Sequence, residues 1–408
     1  MKKRYLARAL DELAFGDQKI ALLSGPRQCG KTTLGQMLLK RRPDGAYWNW
    51  DDITFRRLWA RDPKAVVPAG RGQGRPLVVL DEIHKDRRWK GALKGLYDTL
   101  DAPCDILVTG SARLTVYTRA KGTDSLLGRY RNFRLHPFSL GELTTGAPPE
   151  PDHLIERLFE RALRPRRSDE RVLEELLRFG PFPEPLLAQD ERRARLWRRA
   201  RETAVVREDL RDLSRIPELG RVELLVSLLP GRVGSRFSPN AIREDLEVSF
   251  DTVRRWMAFL QELYLAFELK PYSRHVPRSL KREGKVYLWD YGGVPPGPAR
   301  LENLVASHLL KACHYWTDTG WGDFKLHYLR TKDGHEIDFL IVRDGEPWLP
   351  VEVKTGESIP SPQWTKFVHR LPCTRGVQIS ARPGWRVHDY GPTRILVVGV
   401  AEAMRYLV

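Results

Sequence analysis

The sequence predicts an α/β protein assembled from several parts, and three stretches carry that expectation. Near the start an apolar segment runs into a glycine-rich loop and a helical pattern. Further apolar segments end in carboxylates and small hydroxyl side chains. Near the end, "VEVK" sets Glu352 and Lys354 on one side of a strand and Val351 and Val353 on the other. At 408 residues the chain is too long for one ordinary core, so two to four domains are expected.

Composition narrows the class. Hydrophobic residues make up 41%, yet no uninterrupted apolar run approaches the roughly 20 residues that a membrane span needs. The start, "MKKRYLARALDEL", reads as an amphipathic helix rather than a signal peptide, so a cytoplasmic protein with no membrane association is expected. Cys29, Cys104, Cys313 and Cys373 are scattered without CxxC spacing, which points to neither zinc nor a disulfide framework. The formal net charge of +17 favours a polyanionic partner, because lysine and arginine that neutralise phosphates release condensed counterions. Arginine greatly outnumbers lysine, and a biased genome is the alternative source of that charge.

Residues 18 to 34, "QKIALLSGPRQCGKTTL", place the apolar Ile20 to Leu23 before Gly25-x4-Gly30-Lys31-Thr32, and a helical pattern continues through Leu38 and Leu39. Strand, glycine-rich loop and helix in that order form a Walker A loop. In such a loop Gly25, Pro26, Arg27, Gln28, Cys29, Gly30, Lys31, Thr32 and Thr33 surround the phosphates of a nucleotide. Lys31 reaches the β and γ oxygens and Thr32 offers a hydroxyl to Mg²⁺. "RPLVVLDEIH" (75 to 84) is an apolar strand ending in Asp81 and Glu82, where ligands bind in parallel sheets. Asp81 is the expected Mg²⁺ partner and Glu82 the residue that polarises the attacking water. "DILVTGSARL" (105 to 114) ends in Thr109, Gly110 and Ser111, with Thr109 and Ser111 as γ-phosphate sensors. Ordered in this way, the three motifs predict an ATPase on a P-loop, parallel-sheet domain. In "SLLGRYRNFRLHPFSLGEL" (125 to 143), Arg129 is the candidate for an arginine reaching the γ-phosphate in cis or in trans, ahead of Arg131. A solvated surface arginine is the alternative.

"GPRQCGKTTL", "LDEIHKDRRWKGALKGLYD", "VTGSARL", "LLGRYRNFRLHPFSLGEL" and "RFGPFPEPL" together resemble the bacterial and archaeal AAA+-type (AAA_14) ATPases that carry a C-terminal DUF4143 domain. The likeness extends over essentially the whole chain, through "RLENLVASHL" and "HEIDFLI…VEVK". The resemblance implies ATP as the nucleotide and a C-terminal region similar to the PD-(D/E)xK nuclease fold.

Beyond the proline-rich "TTGAPPEPDH", helical patterns follow, among them the arginine-dense "DERRARLWRRARETAVVREDLRDL" (190 to 213). Residues 237 to 272 then show a short helix, a turn near Glu247 to Ser249 and a helix from Asp251 to Leu263, with "GKVYLWD" as a following strand. That is the layout of a winged helix-turn-helix, in which Thr252, Arg254 and Arg255 face DNA; a lid or protein contact is the equal alternative.

The last segment reads as a helix holding Glu302, then "FKLHYLRTK" and "HEIDFLIV" joined by a turn at Asp333-Gly334, then "WLPVEVKTG" after a second Asp-Gly pair, the helical "SPQWTKFVHRL", and the strands "GVQISA" and "RILVVGV". Helix, three strands, helix, strand is the core order of PD-(D/E)xK nucleases. Asp338 and Glu352 are the candidate Mg²⁺ ligands (Mn²⁺ as an alternative), Glu302 an auxiliary ligand, Lys354 the amine that positions water, and Gln363 a contact to the scissile phosphate. Ile337 stands where the family pattern has proline.

The expected organisation is thus a P-loop AAA+-like ATPase domain (1–145), a helical linker or lid (146–235), a winged-helix domain (236–291) and a PD-(D/E)xK nuclease-like domain (292–408). The expected activity is ATP hydrolysis with a nucleotide-gated, metal-dependent deoxyribonuclease. The alternative is a nucleotide-switched DNA- or protein-binding ATPase whose nuclease-like domain is inactive. DNA is the expected partner, a homo-oligomer is left open, and the sequence names no protein partner.

Overall fold

The computed structural model describes residues 4–42, 44–68, 74–110, 126–145, 150–160, 165–210, 218–273, 283–356 and 359–408. Ser111 therefore lies outside the described residues. The chain divides into two compact units, Met1–Pro137 and Phe138–Val408. The helix Leu140–Thr144, placed with the ATPase domain by the sequence, lies in the second unit, where Glu142 pairs with Lys311 at 2.6 Å.

In the first unit five strands form one sheet: β1 (Ile20–Ser24), β2 (Ala46–Asn49), β3 (Leu77–Asp81), β4 (Asp105–Thr109) and β5 (Tyr130–Arg134), in the order β2-β3-β4-β1-β5. Every neighbouring pair is parallel. β1, β3 and β4 are buried along their whole length, which explains their unbroken apolar runs: each strand is covered on both faces. Ile20, Leu22, Val78 and Leu80 join Phe55, Trp59 and Leu93 in one core. The helix Lys31–Leu39 lies on the other face, where a side chain at Gly35 would come within 3.0 Å of Val79. The parallel register brings Ser24, Asn49, Asp81 and Thr109 to the same carboxyl edge. The N-terminal helix begins at Leu6 and turns into a π-helix over Leu10–Phe15, burying Leu6, Leu10 and Phe15.

The second unit opens with helices, including Arg167–Phe179 and Glu191–Ala204, the latter capped by Asp190, whose carboxylate accepts the Arg193 N–H at 2.8 Å. The helices Pro239–Leu246 and Phe250–Glu262 meet at a tight turn in which Glu247 is left-handed, and Ser249 caps the second. Arg254 and Arg255 are exposed on that helix. An antiparallel ribbon follows, β6 (Ala266–Leu269) with β7 (Lys285–Leu288).

After the long helix Pro298–Asp318 come β8 (Phe324–Arg330), β9 (Glu336–Arg343), β10 (Glu346–Lys354), β11 (Arg375–Ser380), β12 (Trp385–Tyr390) and β13 (Thr393–Gly399). They form a six-stranded sheet in the order β12-β13-β11-β10-β9-β8. β8, β9 and β10 run antiparallel as a meander, while β10, β11 and β13 run parallel. Asp344 and Gly345 both have positive φ, the two-residue turn that an Asp-Gly pair favours between strands. At Asp333-Gly334 only the glycine is left-handed, and the connection is wider, closed by the Thr331 N–H donating to the His335 carbonyl at 2.9 Å. Two local readings need correction. "SPQWTKFVHRL" contains only a short helix, Trp364–Phe367, and β12 was missed because its edge position leaves no residue of "WRVHDY" fully buried and only Trp385 and Val387 to mark an apolar side.

Candidate functional site

At the carboxyl edge of the first sheet, β1 leads into the loop that ends at the helix Lys31–Leu39. Gly25 and Gly30 both have positive φ, and a side chain on Gly25 would collide with the Leu135 carbonyl, so the loop's path depends on glycine. Gln28 is left-handed as well, and Gly30 gives the helix no side-chain cap, which leaves its first N–H groups for an anion. Lys31 is 7% exposed and donates to the carbonyls of Gly25 at 3.0 Å and Pro26 at 2.7 Å, curling back over the loop. Cys29 is buried, its Sγ 3.5 Å from the Leu135 carbonyl, and Thr33 is exposed.

Asp81 is the hub of this edge. Its Oδ2 accepts from Thr32 Oγ1 at 2.8 Å and from the Tyr47 hydroxyl at 2.7 Å, and its Oδ1 from Thr109 Oγ1. Burial and the Asp81 carboxylate push the Tyr47 hydroxyl up to about 12, so it stays a donor at any ordinary pH. Glu82 follows in a left-handed backbone conformation, uncommon for a residue with a side chain, and its N–H donates to the Thr109 carbonyl at 2.9 Å. Burial raises the Glu82 carboxyl above its ordinary value, against the pull of Lys31 and Lys85. The oxygens of Thr32 and Asp81 fit a hard cation such as Mg²⁺, and the loop with Lys31 fits a polyphosphate.

Arg129 sits elsewhere. It immediately precedes β5, whose first residue pairs with Ile20 at the amino end of β1, so it lies at the edge opposite the loop. There its guanidinium forms a two-pronged pair with Asp98, Nε to Oδ1 at 2.6 Å and an Nη to Oδ2 at 3.0 Å. Arg131, within β5, pairs with Asp17 at 2.5 Å. The strand's register explains both positions. Arg4, which sequence reading passed over, is 5% exposed and donates to the Cys29 carbonyl at 2.5 Å and the His136 carbonyl at 2.6 Å, fixing the floor of the loop. Tyr47 was also missed. Only the pairing of Asn49 with Asp81 puts its hydroxyl within reach.

In the second unit Asp338 on β9 and Glu352 on β10 do meet. The Asp338 N–H donates to Glu352 Oε2 at 3.1 Å, and the Val353 N–H donates to Asp338 Oδ2 at 2.9 Å. Lys354 is 2.6 Å from Glu352 Oε1, so the two charges of "VEVK" pair with each other. Glu302 faces the same place from its helix, and its Oε1 accepts the Tyr287 hydroxyl at 2.7 Å. The centre is filled by Lys285 of β7, which the sequence reading assigned no role. Its Nζ lies 2.6 Å from Glu336 Oε1, 3.3 Å from Glu302 Oε1 and 3.3 Å from Asp338 Oδ1, with the side chain 4% exposed. Burial opposes the charge of this ammonium, but Glu302, Asp338 and Glu336 outweigh it and hold its pKa above the ordinary lysine value. Burial, and next the Asp338 charge, push Glu352 up to about 7 against the pull of Lys354. Gln363 reaches His335 Nδ1 at 3.2 Å. Among the described residues no three His, Cys, Asp or Glu side chains converge as metal ligands. The expected Mg²⁺ set of Glu302, Asp338 and Glu352 does not fit a divalent ion as placed, because ammonium, hydroxyl and N–H groups already hold Glu302 Oε1 and both oxygens of Asp338 and Glu352.

Residues 17–144 match an AAA domain, residues 170–294 a domain of unknown function (DUF8612) and residues 299–391 another (DUF4143). An uncharacterized protein of Methanocaldococcus jannaschii is 26% identical, the match covering 93% of this chain and 85% of that one. One of Mycobacterium tuberculosis is 24% identical, covering 81% and 69%. Among solved structures, the Aeropyrum pernix ORC1 protein in complex with DNA aligns over 74% of this chain and 91% of that chain, with 18% identity and a TM-score of 0.31. Among the described residues no helix is long and apolar enough to cross a membrane.

Proposed function

We propose that this chain, which joins an AAA+-type P-loop ATPase domain to a DUF4143 region, is an ATP-hydrolysing switch whose second unit engages DNA or protein without cutting. The observation that carries the ATPase half is the cluster of Lys31, Thr32, Asp81, Glu82 and Thr109 at one sheet edge. With ATP bound, the Lys31 ammonium exchanges the Gly25 and Pro26 carbonyls for phosphate oxygens, and the uncapped helix N-terminus faces the same charge. Thr32 and Asp81 would hold Mg²⁺, which neutralises charge on the phosphates when bound. Glu82 orients and polarises the attacking water, and Thr109 ties the end of β4 to Asp81 so that both respond to the γ-phosphate. Arg129 takes no part in cis.

In the second unit we read the two helices and the β6–β7 ribbon as a winged helix-turn-helix, with Arg254 and Arg255 available to a polyanion. The net charge of +17 supports DNA as that partner. The non-cutting half of the reading rests on the pairing of Asp338 and Glu352 with lysines of the chain. A second reading, Mg²⁺-dependent DNA cleavage on a PD-(D/E)xK-like domain, is favoured by the helix, antiparallel meander and parallel β11 that surround Glu302, Asp338, Glu352 and Lys354.

Phosphate release and DNA binding test the proposal. Lys31→Ala should lose ATP binding, whereas Glu82→Gln should bind ATP and turn it over roughly 10²–10⁴-fold more slowly. DNA affinity should differ between the ATP-bound Glu82→Gln protein and the ADP-bound wild type. Cleavage with Mg²⁺ or Mn²⁺ that vanishes in Glu352→Ala would replace the non-cutting reading with the second one.

A further inference from the structure

The carboxylate cluster of the second unit contains a cation that belongs to the chain itself. Lys285 and Tyr287 alternate on one side of β7, a strand of the ribbon and not of the six-stranded sheet. Both reach carboxylates from elsewhere in the unit: Glu302 on the long helix, and, for Lys285, Glu336 and Asp338 on β9. Glu336 and Asp338 are two residues apart and share a strand face, so β9 presents both toward the same ammonium.

We infer that the Lys285 ammonium holds the position a divalent cation would take between Glu302, Glu336 and Asp338, and that this site excludes Mg²⁺ and Mn²⁺. Coordination at about 2.0–2.1 Å requires bare carboxylate oxygens around an empty centre. Here Nζ stands 2.6 to 3.3 Å from an oxygen of each of the three. Other oxygens of the cluster are held as well. Asp338 Oδ2 accepts from Val353 N–H, Glu352 Oε2 from Asp338 N–H, and Glu352 Oε1 pairs with Lys354. Arg330 adds a further cation, 2.8 Å from Glu336 Oε2. A divalent ion entering beside Lys285 would meet like charge at close range. Displacing the lysine would need a route for a side chain that is 4% exposed. The ribbon's ammonium therefore occupies the centre between the three carboxylates, and cation and ligands fold together.

This inference deepens the non-cutting half of the proposed function and rests on that reading, but the two fail separately. Mn²⁺ bound by the nucleotide-free full chain is counted by equilibrium dialysis with electron paramagnetic resonance, for wild type and Asp338→Asn. Equal stoichiometry is expected, because any ion at Thr32 and Asp81 is common to both. One Mn²⁺ more in wild type than in Asp338→Asn overturns the inference. Lys285→Met should gain one Mn²⁺ that Lys285→Met/Asp338→Asn loses again, and a folded Lys285→Met that gains none also overturns it. Circular dichroism establishes folding. Should the methionine variant not fold, Lys285→Gln, neutral and still hydrogen bonding, is read in the same way. Asp338-dependent Mn²⁺ without DNA cleavage would sink the inference alone. Cleavage without Asp338-dependent metal would sink the non-cutting reading alone.

Discussion

Replacing His308 with glutamine should remove an acid sensitivity built into the second unit. His308 is 1% exposed; its Nδ1 faces the Leu304 carbonyl at 2.8 Å and its Nε2 accepts the Leu140 N–H at 2.9 Å. That pattern demands the neutral ring, protonated on Nδ1 alone. Burial lowers the pKa from 6.5 to about 4, the hydrogen bond to Leu304 opposes the fall, and the nearby Lys311 charge adds to it. A histidine whose folded pKa is depressed contributes stability that is complete above 6.5 and is lost as pH falls toward 4. The size of the depression corresponds to about 3 kcal/mol at most. Below that window the imidazolium turns an N–H against the Leu140 N–H and a charge toward Lys311, whose own partner is Glu142. Glu352 contributes a slope of opposite sign. Its pKa is raised from 4.5 to about 7, so the stability it lends is present below 4.5 and is lost as pH rises through 7. The wild-type profile alone therefore mixes these with other partly buried groups such as Glu82 and His327, and the difference between wild type and His308→Gln isolates the histidine. Urea denaturation of the full chain between pH 4 and 8, followed by tryptophan fluorescence, measures it. The variant's oxygen can still accept from Leu140, and the difference in stability should change by up to about 3 kcal/mol between pH 7 and pH 4. A difference that stays constant over that range would refute the reasoning.

Two further perturbations test the packing around the sites. Arg4→Met strips the charged donor from the Cys29 and His136 carbonyls, each bond contributing roughly 1.5–3 kcal/mol, so ATP affinity measured with a fluorescent analogue should fall by about tenfold or more. Unchanged affinity would mean that the loop holds its shape without Arg4. Lys311→Met leaves Glu142 buried without its ammonium and should cost roughly 3–5 kcal/mol, whereas Lys311→Met/Glu142→Leu should recover most of the loss. Equal losses in the single and double variants, read from denaturation midpoints, would contradict a pair-based account.

The sequence by itself determined that Lys31, Thr32, Asp81, Glu82 and Thr109 gather at one sheet edge, because its signals are local. A glycine-rich loop needs its special residues within a few positions of one another. A strand buried on both faces announces itself as an apolar run, and the parallel sheet then delivers Ser24, Asp81 and Thr109 to one edge. The meeting of Glu352 with Asp338 of β9 was legible for the same reason: alternation fixes which side chains share a face, and a short turn fixes the neighbour. What only the tertiary structure decided are contacts set by packing between distant segments. The place of Arg129 beside Asp98, at the edge opposite the loop, follows from the β1–β5 register and not from any local signal. Arg4 reaches across to Cys29 and His136, and Lys285 crosses from the ribbon to Asp338, over separations that no periodicity spans. A lysine in an apolar strand has no local partner to declare its purpose. Its role emerges when chain closure buries it among carboxylates, where leaving either charge unpaired would cost more than keeping them together.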